Sequence, residues 1–348
     1  MTAAQQWPRA GGDPPASALI RSRPEDFQVE EILGFTPADT GQHVLLQVRK
    51  RGANTEWVAR RLARLSGVPR RAVGYAGLKD RQAVTTQWFT LDLAGRAVPD
   101  WSVLVEEGIE VLQCRRHDRK LRQGAVRANR FRLVLRRLHG DRAALETALQ
   151  RIRRHGVPNY FGPQRFGRDN LRRAAAMLLH GRPVRDRFQR GMYLSAARAW
   201  LFNRVLAARV AAGNWNQALP GDVLVLDGRH SVFPCPEPDA DIQRRLAAGE
   251  LHPTGPLWGT PGLSSTGEAA EWERRALGDE QAWCAALAGA GMKLQRRALR
   301  LIPRALAWHW GGDRLELEFT LCAGGFATSV LRELVAEAAP GGAQDGDG

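Results

Sequence analysis

The sequence predicts an α+β protein in which a helix-rich segment interrupts a strand-rich one. Three observations carry that expectation. Roughly the first 150 residues alternate apolar and polar positions with the period of strands. Beyond Asp141 the spacing becomes helical, and strand alternation returns at Arg314. A length of 348 residues accommodates about two domains. With 44% apolar and 25% charged residues the chain can bury a sizeable core, which excludes collagen-like, disordered and disulfide-scaffold classes.

Residues 1–17, rich in Gly, Pro and Ala, are expected to be loose. In Glu25–Leu33 (EDFQVEEIL) Phe27, Val29 and Glu31 share one strand face, because side chains alternate along a strand. His43–Lys50, Val84–Leu93 and Ile109–Cys114 read as further strands. Arg130–Leu138 alternates most plainly, with Phe131, Leu133 and Leu135 on one side and Arg130, Arg132 and Arg136 on the other. Thr55–Leu65 reads as a helix with Thr55 as N-cap and an apolar stripe through Val58, Leu62 and Leu65. Asp141 can cap a helix through Ile152 that stops at Gly156.

Leu171–Leu179, Tyr193–Ala212 and Glu268–Ala288, interrupted at Gly278, have helical spacing. Asp222–Asp227 is a strand-like island, and Pro253–Gly262 is a Pro/Gly-rich interruption. Arg314–Leu321 is a late strand, followed by Gly324-Gly325 and a helix expected over Ala327–Ala339. The Gly/Asp-rich tail Pro340–Gly348 is expected to be disordered. This order points to one domain inserted into another, with the late strand joining the first; two consecutive domains are the plainer alternative.

Fifty-one Lys+Arg oppose 36 Asp+Glu, a net charge of +15. Such an excess points to a polyanionic partner, most simply nucleic acid. Only Lys50, Lys79, Lys120 and Lys293 are lysines. Arginine is the better fork for phosphate oxygens, although a compositional bias of the genome explains that preference equally well. The cysteines Cys114, Cys235, Cys284 and Cys322 form no C-x-x-C pair and the histidines show no zinc spacing, so free thiols and no structural metal are expected. The longest apolar run, Ala282–Ala288, is too short for a membrane span. Met1–Ser17 lacks the basic start and apolar centre of a signal peptide. A cytoplasmic protein with no membrane partner is expected, and a monomer.

Phosphate-cradling, dinucleotide-binding, zinc-protease and nucleophile-elbow strings are all missing from the sequence. An enzyme on this chain would therefore use no cofactor and rely on chemistry that a single carboxylate can run. Val73–Phe89 (VGYAGLKDRQAVTTQWF) offers one: Gly74 and Gly77 let the backbone bend or approach a ligand closely, and Asp80 lies between Lys79 and Arg81. Adjacent cations favour an ionised acid that could serve as nucleophile or base. A solvated K-D-R turn fits the same residues, and they leave both readings open. Cys114–Arg137 carries ten Arg/Lys against one acid, Asp118, and runs into the strand holding Phe131. Cations beside an aromatic suit a phosphate track with a stacking platform; a core aromatic and a solvated basic face are the plainer readings. Asn129 can match a nucleobase edge or open the strand as a turn residue.

At these residues the chain resembles the TruD family of tRNA pseudouridine synthases. The likeness runs through Arg23–Glu31 (RPEDFQVEE), Asn54–Ala63, Gly74–Phe89 (GYAGLKDRQAVTTQWF) and Gly124–Phe131 (GAVRANRF). It continues through Gly156–Asn170 (GVPNYFGPQRFGRDN), Leu194–Asn203 and Ala323–Glu333 (AGGFATSVLRE), whereas about Gly213–Pro303 is little diagnostic apart from Thr254–Gly259. The resemblance implies a pseudouridine synthase catalytic core with a mostly antiparallel mixed sheet over 1–154 and 304–348. It also implies an inserted, largely helical α/β TRUD domain over 155–303. The implied reaction turns uridine, usually uridine-13 of certain tRNAs, into pseudouridine without a cofactor. By position Asp80 matches the catalytic aspartate, and Phe27, Asn129, Phe131 and Phe326 match residues that line the uridine pocket. Arg21, where the family also carries a basic residue, is the expected counter-ion of Asp80, with Lys79 as runner-up. The doubled glycine Gly324-Gly325 departs from the frequent pattern and bears on the Phe326 loop. A non-catalytic RNA-binding or tRNA-folding protein is the alternative function; an RNA-cleaving enzyme lacks a His pair, His117 and His139 being expected at the surface and as a cap.

Overall fold

Period-two alternation becomes strand over much of the chain before Asp141: β1 (Ala16–Leu19), β2 (Phe27–Leu33), β3 (His43–Arg51), β4 (Val73–Tyr75), β5 (Val84–Asp92), β6 (Ile109–His117) and β7 (Val126–Gly140). Helix α1 (Thr55–Leu65) joins β3 to β4. The structure, a computed structural model, describes residues 7–93, 95–122, 124–167 and 169–338. Next come α2 (Arg142–His155), β8 (Val157–Pro158), α3 (Pro163–Phe166), α4 (Asn170–Leu178) and α5 (Arg187–Ala211). They are followed by β9 (Asp222–Leu226), β10 (Val232–Cys235), α6 (Ala240–Ala247), β11 (Leu251–Leu257), α7 (Gly267–Ala276), α8 (Gln281–Gly289), β12 (Gln295–Ala298) and β13 (Arg300–Leu301). A hairpin of β14 (Arg304–Gly311) and β15 (Arg314–Cys322), then α9 (Ala327–Leu331) and β16 (Val335–Glu337), complete the elements.

The chain divides into two units. The sheet unit holds Ala16–Asp141, Arg304–Gly324 and the segment from Ala336. Its strands run in the order β14-β15-β7-β2-β5-β3-β6, with β1 beside β7 and β4 beside β5. Only β2 and β5 pair in parallel along that order, so the sheet is mixed and mostly antiparallel. Val58 and Leu62 of α1 are fully buried in a cluster with Leu46 and Val48 of β3 and Phe89 and Leu91 of β5. Each such side chain contributes about 1.5–3 kcal/mol of burial, and together they fix α1 against one face of the sheet.

The helical unit holds the segment up to Pro15, Arg142–Pro303 and Gly325–Val335. Its strands form a four-stranded sheet, β10-β9-β11-β12, and the pair β13-β8. Trp200, Leu201 and Val205 of α5 pack with Trp283 and Leu287 of α8 in one cluster. The division after Asp141 puts α2 in this unit, earlier than the expected boundary at 154. It also gives the unit the short stretch containing Phe326.

Several local expectations are corrected. Asn54, not Thr55, caps α1: its side chain accepts the Trp57 N–H at 2.7 Å. The Thr55 hydroxyl is used elsewhere, donating to Gln87 Oε1 at 2.8 Å and accepting the Lys79 N–H at 2.9 Å. Helix α5 starts at Arg187, ahead of Tyr193, because Asp186 caps it through the Gln189 N–H. Pro253–Gly262 is not simply an interruption, since Leu251–Leu257 is strand and its first residues pair with β9. Ala16 and Ser17, expected loose, pair with β7. The helix from Ala327 stops at Leu331, and the Ala338 N–H donates to the Ala18 carbonyl; a strand edge competes successfully for backbone that local propensity assigns to helix. His117 is buried rather than at the surface, stacked on Phe35 with centroids 5.0 Å apart. The tail Pro340–Gly348 lies outside the described residues.

Candidate active site

The candidate carboxylate sits on the turn between β4 and β5, and buried polar side chains hold that turn. Thr55, at the start of α1, accepts the Lys79 N–H; Gln87 of β5 donates to the Gly77 carbonyl at 3.2 Å. Both anchors are buried, so each bond is made without competition from water and losing it would strand a polar group. Gly74 serves close protein packing rather than a ligand, since a Cβ there would meet the Leu121 carbonyl oxygen at 2.6 Å.

Asp80 Oδ2 accepts from Arg21 Nη2 at 3.1 Å, with about a third of each side chain exposed. Arg21 is held for this contact from both ends. Its backbone has φ +59°, a left-handed conformation that costs a non-glycine residue energy. Its guanidinium lies 4.0 Å from the Phe27 ring centroid, a cation–π contact. Lys79 is directed elsewhere: its ammonium pairs with Glu31 Oε1 at 2.6 Å. The Glu31 side chain is fully buried and also accepts the Trp88 N–H at 2.8 Å. Of the two expected counter-ions, Arg21 therefore touches Asp80, and Lys79 neutralises a second acid.

Sheet register brings the remaining sheet-unit candidates to one face. Val29 lies opposite Phe131, which lies opposite Phe319; Glu31 lies opposite Asn129, which lies opposite Leu321. Phe27 meets Phe131 edge-on at 6.2 Å between centroids, and Phe131 stacks on Phe319 at 5.5 Å. Phe131 is only 6% exposed, so the core reading of this aromatic is also met. Asn129 Oδ1 is buried and has no hydrogen-bond partner among the described residues, the kind of acceptor left unpaired where a ligand donor is to arrive. An aspartate–arginine pair, aromatic rings and an open amide edge thus share one region of the sheet unit.

Phe326 belongs to the helical unit, at the N-cap of α9. There it accompanies Phe161, 6.5 Å away between centroids, and Arg297, whose guanidinium lies over Phe161 at 4.3 Å and over Phe326 at 6.0 Å.

The sequence reading missed Glu31, Lys50, Thr55, Gln87 and Leu78 as neighbours of the Asp80 turn. An acid on the apolar face of β2 was the available signal for Glu31. Leu78, two residues before Asp80, is 72% exposed. Lys50 is fully buried and donates to the Ala53 carbonyl at 2.6 Å and the Asp80 carbonyl at 3.1 Å. Burial pushes its pKa down to about 8, against the attraction of Asp80.

The basic run divides. Arg130 and Arg132 face Glu318 at 4.0 and 3.2 Å, Arg136 binds the buried Asp26 at 2.7 Å, and Arg115 pairs with Asp39. These arginines are partly neutralised within the sheet unit. In the helical unit a cavity of about 460 Å³ is lined by Arg172, Arg173, Arg182 and Arg185. The acid on its wall, Asp186, accepts the Gln189 N–H at 2.8 Å as the cap of α5. Among the described residues no disulfide joins Cys114, Cys235, Cys284 or Cys322. Among the described residues no three His, Cys, Asp or Glu side chains group as a metal site, and no helix is long and apolar enough to cross a membrane.

The family model described as tRNA pseudouridine synthase D (TruD) matches residues 10–187 and 182–334. The protein named tRNA pseudouridine synthase D from Nitrosococcus oceani is 48% identical over 339 residues, covering 96% of this chain and 95% of its own. That from Methylococcus capsulatus is 50% identical over 331 residues, covering 94% of each. A crystal structure of a Methanosarcina mazei protein assigned as tRNA pseudouridine synthase D superposes with a TM-score of 0.69 at 20% identity, over 92% of this chain and 93% of that one. A likeness at that identity speaks to the fold.

Proposed function

Since the chain belongs to the tRNA pseudouridine synthase D family, we propose that it isomerises uridine to pseudouridine in tRNA, at uridine-13, with Asp80 as the catalytic carboxylate. The observation that carries the reading is the contact of Asp80 with Arg21 beside the Phe27–Phe131 rings and the open amide oxygen of Asn129. The sheet unit is then the catalytic domain and the helical unit the inserted TRUD domain.

Chemistry follows from these groups. A uridine stacked in RNA cannot reach a carboxylate on the protein, so it must first leave its stack. Phe27 and Phe131 offer apolar surface to the flipped base, and Asn129 Oδ1 accepts a hydrogen bond from its polar edge. Arg21 sets a positive charge against the Asp80 carboxylate and holds its Oδ2 at 3.1 Å. The carboxylate attacks the nucleoside at C6 of the base or at C1′ of the ribose. The N1–C1′ bond breaks, the base turns, C5 bonds to C1′, the bond formed by Asp80 breaks and returns the carboxylate with its electron pair, C5 gives up its proton and N1 takes one. Atoms and charge balance with no co-reactant. The arginine-lined cavity and the net charge of +15 suit a phosphodiester partner, whose counterions are released on binding.

Purified protein incubated with a tRNA transcript bearing uridine-13 tests the proposal, with pseudouridine located by mass spectrometry of fragments. Conversion at that position in full-length RNA is expected. Binding without conversion would leave an RNA-binding protein, and shortened RNA would indicate cleavage.

A further inference from the structure

Lys50 is the penultimate residue of β3 in a segment, His43–Arg51, whose basic end reads as solvent-facing. Its neighbours behave that way: Arg49 pairs with Glu110 and Arg51 with Glu25, both pairs near half exposed. Lys50 alone points inward and is fully buried. Burying an ammonium costs several kcal/mol unless its charge and donors are used. Here the donors go to two main-chain carbonyls, Ala53 at 2.6 Å and Asp80 at 3.1 Å. Those carbonyls belong to the connection before α1 and to the turn after β4.

Resting on the functional reading above, we propose that Lys50 is a positioning residue for Asp80. Its buried ammonium ties the Asp80 turn to the connection before α1 and so fixes where the carboxylate stands relative to the uridine pocket. The other supports of that turn act on flanking residues, Thr55 on the Lys79 N–H and Gln87 on the Gly77 carbonyl. Lys50 grips the main chain of Asp80 itself, as Arg21 grips its carboxylate. Its charge also belongs to a chain of alternating signs. Asp80 and Glu31 stabilise it, Lys79 opposes it, and Arg21 and Lys79 in turn hold those two acids. From the turn, Arg81 donates to the Gly52 carbonyl at 3.2 Å. On β5 the residue opposite Lys50 is the uncharged Thr85. Loss of the Lys50 proton thus removes a cation beside Asp80 and weakens the tether together.

The test compares wild-type protein with Lys50→Met, which keeps the length of the side chain and removes its charge and donors. Single-turnover conversion of tRNA should fall by about 10- to 100-fold in Lys50→Met, the scale of a small misplacement of a catalytic group. Affinity for the tRNA should stay within about twofold, because no phosphate contact is touched. The pH profile gives a second readout that a merely structural lysine would not move. Wild-type turnover should decline on the alkaline side with a midpoint near pH 8, and Lys50→Met should lack that limb. Equal rates, or a limb that persists in Lys50→Met, would overturn the proposal. Should Lys50→Met fail to fold, Lys50→Gln, which removes the charge and shortens the reach to the two carbonyls, takes its place, and wild-type turnover in that variant overturns the assignment. Wild-type protein that binds tRNA and forms no pseudouridine overturns the functional reading as well, a result distinct from an active enzyme indifferent to Lys50.

Discussion

Replacing Arg21 with glutamine removes the cation at 3.1 Å from the Asp80 carboxylate while keeping a side chain able to lie on Phe27. Two unit charges at that distance attract by about 1.3 kcal/mol in the dielectric of water and by about 5 kcal/mol at an effective value near 20. Solvent reaches about a third of each side chain, which places the pair toward the weaker limit; fully exposed pairs measure roughly 0.2–1 kcal/mol. We therefore expect the variant to lose about 1–2 kcal/mol of the interaction that holds the carboxylate in place for attack, a rate loss of about 5- to 30-fold. Arg21→Lys should recover part of the rate, since it restores charge without the planar fork. Single-turnover conversion of a tRNA transcript, measured from about pH 6 to pH 9, is the assay. A glutamine variant matching wild-type across that range would refute the electrostatic role and leave Arg21 as a packing or phosphate-binding residue.

Two further outcomes are expected. Lys79→Met leaves the fully buried Glu31 without its partner at 2.6 Å and should destabilise the protein by about 3–5 kcal/mol in urea unfolding; a loss below about 1 kcal/mol would show that the pair contributes no more than an exposed one. Replacing Arg182 and Arg185, which line the helical-unit cavity, with glutamine should lower the slope of log affinity for tRNA against log salt by about 1.5–2, with the bound-state conversion rate unchanged. An unchanged slope would show that the cavity faces no phosphate.

Much of this was legible in the sequence, and the exceptions share a cause. Alternation located β2, β3, β5, β6, β7 and β15 because a strand's face is a local property with period two. The same pattern placed Phe27 with Val29 and Glu31, and Phe131 with Leu133, before any pairing was known. Partners of charges were not legible from alternation or sequence neighbours, and Arg21 was nominated for Asp80 by family resemblance alone. Asp80 lies between Lys79 and Arg81 in sequence, yet its cation is Arg21, brought across the fold while Lys79 reaches Glu31. Lys50 reads as the polar end of a strand, and only the packing of the Asp80 turn over it shows that it is buried. The shift of the α1 cap to Asn54 has the same origin, since Thr55 is equally able to cap but is claimed by Gln87 and the Lys79 N–H. Phe326 could be nominated from family resemblance alone; its sequence neighbourhood, Ala323-Gly324-Gly325, carries no periodic signal.

The most direct measurement is turnover by Asp80→Asn. The amide nearly reproduces the size of the carboxylate and can still accept from Arg21, while its charge and nucleophilicity are gone. The variant should bind tRNA within about twofold of wild-type and form no detectable pseudouridine. Conversion within about tenfold of the wild-type rate would contradict the assignment, because a reaction that proceeds without the carboxylate cannot depend on its attack.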